Sequence, residues 1–274
     1  MFKLFKDSFK TTNDCIILAT PLIIFLSILG WYFTYVIIAV NSLPKLVLAV
    51  ITSLIMISGL LAAWLYMAKK TLAISKRVLL FDSDRAKAFW EIILSLPRGI
   101  GKLFLPILGT VIIYIALFAA GSTLITFIVD NYIGSINFNI LDWDTFFVSS
   151  KELIDELSLL ADNELLAIIC WYAFMLIFSA TISFLTVLWI PEIVYTEKNP
   201  IKALYNSILK LLTTFPKTLL LFIYIAVLTI TISILNTLLM YHPLAYFLVL
   251  ILYYYFLIYI VVLLFSYYEQ NFIK

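Results

Sequence analysis

The chain has 274 residues, 64% of them hydrophobic and only 12% charged, with a mean hydropathy of +1.11. A soluble domain carries roughly twice that charged fraction. This much apolar side chain cannot be hidden in one core, so lipid is the expected solvent. The formal net charge of +2 says little as a total; its distribution along the chain says far more.

The opening MFKLFKDSFKTTND places Phe2, Phe5 and Phe9 on one helical face and Lys3, Lys6 and Lys10 on the other, with Thr12 and Asn13 supplying a turn. Such a helix lies in the headgroup plane, apolar face down and lysines towards anionic phosphates. The apolar run 16–40 follows. It is too long for a signal-peptide core and no small-residue cleavage site comes after it, so it reads as a retained span. A second run occupies 46–68.

The connection 69–102 is strongly basic and contains FWEIILSLPRGIGKLFLPIL. Phe89, Ile92, Ile93 and Leu96 form an apolar stripe that Pro97 is expected to break, with Arg98 and Lys102 at the headgroups before the span 103–129. The segment 130–164 is acidic: Asp130, Asp142, Asp144, Glu152, Asp155, Glu156, Asp162 and Glu164 face a single lysine, Lys151. The one-in-two spacing and turn glycine of a calcium loop are missing. Ser150 as N-cap and Leu153, Leu157 and Leu160 on one face predict a solvated loop helix over 149–160.

The fourth run, 165–190, carries Ser179, Ser183 and Thr186 at i, i+4 and i+7, and the fifth, 218–240, repeats that spacing with Thr229, Ser233 and Asn236. These stripes read as hydrogen-bonded helix seams or as the lining of a substrate path. Between them lies LWIPEIVYTEKNPIKALYNSILKLLTTFPK. Glu192 follows Pro191 at the span boundary and is expected in water, within reach of Lys198 or Lys202. Asn199 before Pro200 is an N-cap with proline at the first helical position. Leu204, Ile208, Leu211, Leu212 and Phe215 form a stripe that Pro216 closes, leaving Lys202, Lys210 and Lys217 for anionic headgroups.

The last run, 243–266, follows the turn MYHP, whose His242 has no nucleophile or metal partner in sequence. Tyr267 and Tyr268 suit an interfacial aromatic belt. Tyr253, Tyr254 and Tyr255 fall on different faces, so at least one should meet protein.

Lysine and arginine set the topology. The N-terminus, 69–102, 191–217 and the tail together hold 16 of the 18 basic residues, leaving Lys45 and Lys151 opposite. Six spans with this alternation put both termini in the cytoplasm. Cys15 and Cys170 then lie on opposite sides of the bilayer and cannot pair. The expected fold is an all-α integral membrane protein, one membrane domain over 1–274. Its six helices form three hairpins, each preceded by a short interfacial helix, and 130–164 is an external acidic loop.

The segment FLTVLWIPEIVYTEKNPIKALYNSILKLLTTFPKTLLLF, 184–222, resembles the bacterial membrane domain attached to some glycerophosphodiester phosphodiesterases and related multi-pass proteins. Pro191, Glu192, Ala203 and Ser207 carry the match. The resemblance implies a six-helix bundle with interfacial elbows in a bacterial inner membrane, and it brings no phosphodiesterase active site. The sequence shows no P-loop, dinucleotide fingerprint or zinc-protease helix, and no metal or cofactor set. A lipid-modifying enzyme would need clustered carboxylates, for which only Glu192 with Glu197 offers a beginning. Two roles are therefore expected. One is a non-enzymatic subunit, scaffold or lipid-interacting factor working through anionic headgroups, a protein partner or its own copies. The other is a permease for a neutral or amphipathic molecule. A basic face without a folded domain to present it is a bilayer signature, not a nucleic-acid one.

Overall fold

The computed structural model describes residues 1–77, 82–134, 162–239 and 241–273. Every regular element among them is helical: α1 Phe2–Asp14, a 3₁₀ turn Ile16–Leu18, α2 Ala19–Ala39, α3 Leu43–Ser75, α4 Asp82–Tyr132, α5 Asp162–Thr186, α6 Trp189–Tyr195, α7 Pro200–Thr213, α8 Phe215–Leu239 and α9 Pro243–Phe272. Six stretches are long and apolar enough to cross a membrane, and each contains or nearly coincides with one expected run. Continuous apolar sequence without internal charge has no other way to satisfy its backbone in lipid. The expected loop helix at 149–160, with Ser150 and its three leucines, lies outside the described residues.

The chain divides into two compact units, Met1–Val111 with Leu185–Lys274, and Ile112–Phe184. In the first, α9 is the hub. It packs against α1, α2, α3, α6 and α8 and buries Phe256, Ile258, Leu263, Phe265, Tyr267 and Tyr268. Tyr255, one of the three consecutive tyrosines, does find protein: its hydroxyl donates to Asn13 Oδ1 at 2.8 Å. Tyr267 and Tyr268 are not in an aromatic belt. Both are fully buried, and the Tyr267 hydroxyl shares a proton with Thr218 Oγ1 across 2.8 Å. In the second unit Ile125, Val129 and Ala167 form a small core flanked by Trp171 and Phe178, and Trp171 Nε1 donates to Thr126 Oγ1 at 3.0 Å.

Each elbow packs against the protein a strip offset from the expected apolar stripe, and leaves part of that stripe open. In α1 the buried stripe is Leu4, Ser8 and Thr12, while Phe2 is 89% exposed and Phe9 54%. In α7 it is Ala203, Ser207 and Leu211, while Leu212 is 60% exposed. Small and hydroxyl side chains let these helices sit close to their neighbours, and the Thr12 hydroxyl satisfies itself on Ser8 O at 2.8 Å. The third elbow is not a separate helix. α4 runs through Pro97 and Pro106 without interruption. Each proline removes one backbone donor, but apolar sequence on both sides leaves the chain nothing better than the helix.

One helix boundary falls as expected and one does not: Thr12 and Asn13, the expected turn, lie inside α1. Asn199 caps α7 as expected, its Oδ1 accepting from the backbone N–H of Ile201 and Lys202 at 3.1 and 3.2 Å. Cys15 ends α1 and is fully buried. Desolvation pushes its thiol up to about 11, against a smaller lowering by Ser75, so it is a packing residue and not a nucleophile.

Gly99 marks the tightest crossing of α3 and α4. A Cβ there would stand 2.8 Å from Ala62 O and 3.0 Å from Ala63 Cα, both backbone atoms that cannot swing aside. Gly99→Ala is expected to cost about 1–3 kcal/mol through overpacking, read as a lower unfolding midpoint in detergent. Gly101→Ala on the same helix, where a Cβ meets nothing within 4 Å, should leave the midpoint unchanged or raise it.

Candidate functional site

The sequence from Trp189 to Lys210 folds as two short helices with a four-residue link, and this places charge where the spans meet. Trp189 Nε1 donates to Pro200 O at 2.9 Å, tying the first residue of α6 to the first of α7. Pro191 and Glu192 thereby turn inward, and Glu192 is 1% exposed. The carboxylate lies not in water at the span boundary but in a closed cluster. Its Oε2 accepts from Lys210 Nζ at 2.6 Å and from the Tyr268 hydroxyl. Its Oε1 accepts from Thr196 Oγ1 at 2.6 Å.

Lys210 therefore is not a headgroup contact, and neither Lys198 nor Lys202 is the partner of Glu192. The ammonium also donates to the Tyr268 hydroxyl at 2.6 Å and stands over the Tyr268 and Phe272 rings at 4.9 and 5.6 Å. Burial pulls the Lys210 pKa down, but the hydrogen bonds to Glu192 and Tyr268 more than offset this and hold it above the ordinary lysine value. The cluster is a charged pair whose lone pairs and protons are nearly all taken by protein. It has the form of a structural lock joining α6, α7 and α9, with no unpaired acid or base poised for proton transfer.

A second network lies next to it. Tyr195 OH donates to Glu269 Oε1 at 2.7 Å, and Lys76 pairs with Glu269 Oε2. Lys69 Nζ donates to Val194 O at 2.8 Å and stands 4.4 Å over the Tyr195 ring.

The remaining expected site residues fall elsewhere. Lys3, Lys6, Lys10, Arg98, Lys102, Lys202 and Lys217 are exposed. Thr229, Ser233 and Asn236 are also exposed on α8, the Thr229 hydroxyl returning to Ile225 O of its own helix at 2.9 Å. Ser179 and Ser183 are half-buried in the second unit, and Thr186 is half-buried in the first. Among the described residues no group of three or more metal-ligating side chains assembles. Thr196, Tyr268 and Lys69 were not visible as site residues in sequence. Their one available signal was Glu192 itself, since a carboxylate inside an apolar run demands a cation and hydroxyl donors from somewhere.

A chain whose described residues are all-helical in their regular elements, with six helices long and apolar enough to cross a membrane among them, is a multi-pass membrane protein. No family model matches the chain, and no curated protein or solved structure does either.

Proposed function

We propose that the protein is a non-enzymatic multi-pass factor that works laterally in its bilayer, through lipid headgroups and a protein partner. The observation that carries this reading is the open apolar stripe of α1 and α7. Each buries a strip of one leucine with small or hydroxyl side chains and leaves bulky apolar groups outward near exposed lysines: Phe2 and Phe9 with Lys3, Lys6 and Lys10, and Leu212 with Lys202. In water that arrangement wastes apolar burial; at a headgroup boundary both faces are satisfied. The saturated Glu192 lock supports a non-catalytic role, because its groups are engaged in holding α7 in place.

Three hairpins with both termini on the cytoplasmic side of a bacterial inner membrane complete the proposal. It is supported by the gathering at one end of the first unit of α1, the Lys76 end of α3 and the Glu269 end of α9. Kinship with the membrane domain of glycerophosphodiester phosphodiesterases belongs to the same proposal, resting on Pro191, Glu192, Ala203 and Ser207. The permease alternative needs Thr229, Ser233 and Asn236 to face an aqueous path; they are exposed on α8, a position equally suited to lipid or a partner.

The test is a bimane label at Leu212→Cys in reconstituted protein lacking both native cysteines. Quenching by shallowly brominated lipid, with little effect of aqueous iodide, is expected. Dominant quenching by iodide would sink the interfacial reading.

A further inference from the structure

Tyr66, Lys69 and Lys70 at the end of α3, Lys102 of α4, and Thr196 and Lys198 after α6 surround a cavity of about 320 Å³. We infer that this cavity binds a phosphate group, carried either by an acidic phospholipid headgroup or by a free phosphorylated compound.

Four ammonium groups line the cavity and no carboxylate does. Lys70 shares Glu91 with Arg77, at 3.6 and 3.1 Å respectively. Lys69, Lys102 and Lys198 have no ion-pair partner within 4.0 Å among the described residues. Glu269, whose field reaches Lys69, is already held by Tyr195 and Lys76. The cavity thus gathers about three uncompensated positive charges against one wall of Leu103, Ile193 and Val194. Like charges brought together at a partly desolvated site repel and are costly unless an anion joins them.

The geometry suits phosphate specifically. Lysines act as point charges towards phosphate oxygens from several directions. Lys69 is fixed in place by its bond to Val194 O and by the Tyr195 ring, which leaves further N–H donors free. Lys102 is steered by the Tyr66 hydroxyl at 3.3 Å. The volume lies at the lower end of small-molecule sites, of order 300–1,000 Å³, enough for a phosphate with a short polar substituent. The cavity lies where the apolar runs 46–68 and 103–129 meet the basic connection between them, the place expected for a headgroup.

The inference deepens the headgroup reading above, yet its phosphate arm needs no membrane, so the two can fail separately. The full chain in a neutral maltoside detergent is titrated with inorganic phosphate, with sodium chloride at matched ionic strength as control, and the unfolding midpoint is followed. In parallel, native mass spectrometry measures retention of phosphatidylglycerol against phosphatidylcholine from mixed nanodiscs. Saturable stabilisation by phosphate, preferential retention of phosphatidylglycerol, or both are expected; which arm responds identifies the source.

Lys102→Gln with Lys198→Gln should weaken the responding arm by about tenfold or more. Lys45→Gln with Lys87→Gln, an equal charge change at exposed lysines outside the cavity and outside the proposed headgroup contacts, should not. Lys198→Gln alone, at a residue whose side chain makes no hydrogen bond or ion pair among the described residues, keeps the test available if the double variant folds poorly. No saturable response in either arm, or a response unchanged by the cavity variants, overturns the inference.

Discussion

Lys210→Met is expected to be the most damaging single charge substitution in the chain. Removing one partner of a buried pair leaves the other ionised without compensation, which costs about 3–5 kcal/mol. The lower end applies here because Lys210 keeps 27% of its side-chain surface exposed whereas Glu192 keeps 2%. Adding Glu192→Gln should restore most of the loss, since the amide carbonyl can accept from one of Thr196 and Tyr268 while its NH2 donates to the other hydroxyl, and nothing charged is stranded. The measurement is a double-mutant cycle on unfolding in mixed micelles, with an expected coupling of about 2 kcal/mol. Additive single effects would mean that the pair is solvated and holds nothing. The raised pKa of Lys210 sets the pH behaviour: its contribution is complete below the unfolded value and is lost only as pH climbs through the folded one. The deficit of the methionine variant should therefore stay flat through neutral pH.

Trp189→Ala should be comparably severe, at about 3–5 kcal/mol. The indole is 1% exposed and bridges the start of α6 to Pro200, so truncation opens a large void and frees α7 from its anchor. Trp189→Phe separates the two contributions: it keeps most of the packing and gives up one hydrogen bond, for about 1 kcal/mol. Protease nicking in the 196–199 link should rise for the alanine variant and hardly at all for the phenylalanine one.

The six spans were legible because lipid imposes a simple rule, a long apolar run without charge, and that rule does not depend on neighbours. The Asn199–Pro200 start of α7 was legible for the same reason: capping is local chemistry. What sequence could not supply was orientation. Periodicity shows that α1 and α7 have two faces, but in a membrane either face can be the outer one. Here Ser8, Thr12 and Ser207 went inward. Pro97 misled because proline's helix-breaking habit is learned from water, where a freed carbonyl finds a partner. Glu192, Lys210 and Tyr268 lie 18 and 58 residues apart along the chain from Lys210, and no local pattern announces such a meeting. The lysine cavity is hidden in the same way, since its lysines come from two separate basic connections, 69–102 and 191–217, that only the fold brings together.

The hub position of α9 has a consequence for biogenesis. α1 docks on α9, whose Tyr255 lies 242 residues beyond its partner Asn13, and the hydroxyl that completes the Glu192 lock comes from Tyr268. During synthesis every earlier span can enter the bilayer while its basic end stays open, with Glu192 and Lys210 meeting no tyrosine. Synthesis of α9 is therefore coupled to closure of the structure, and a ribosome that stalls before Tyr268 leaves an inserted but unlatched protein for membrane proteases to recognise.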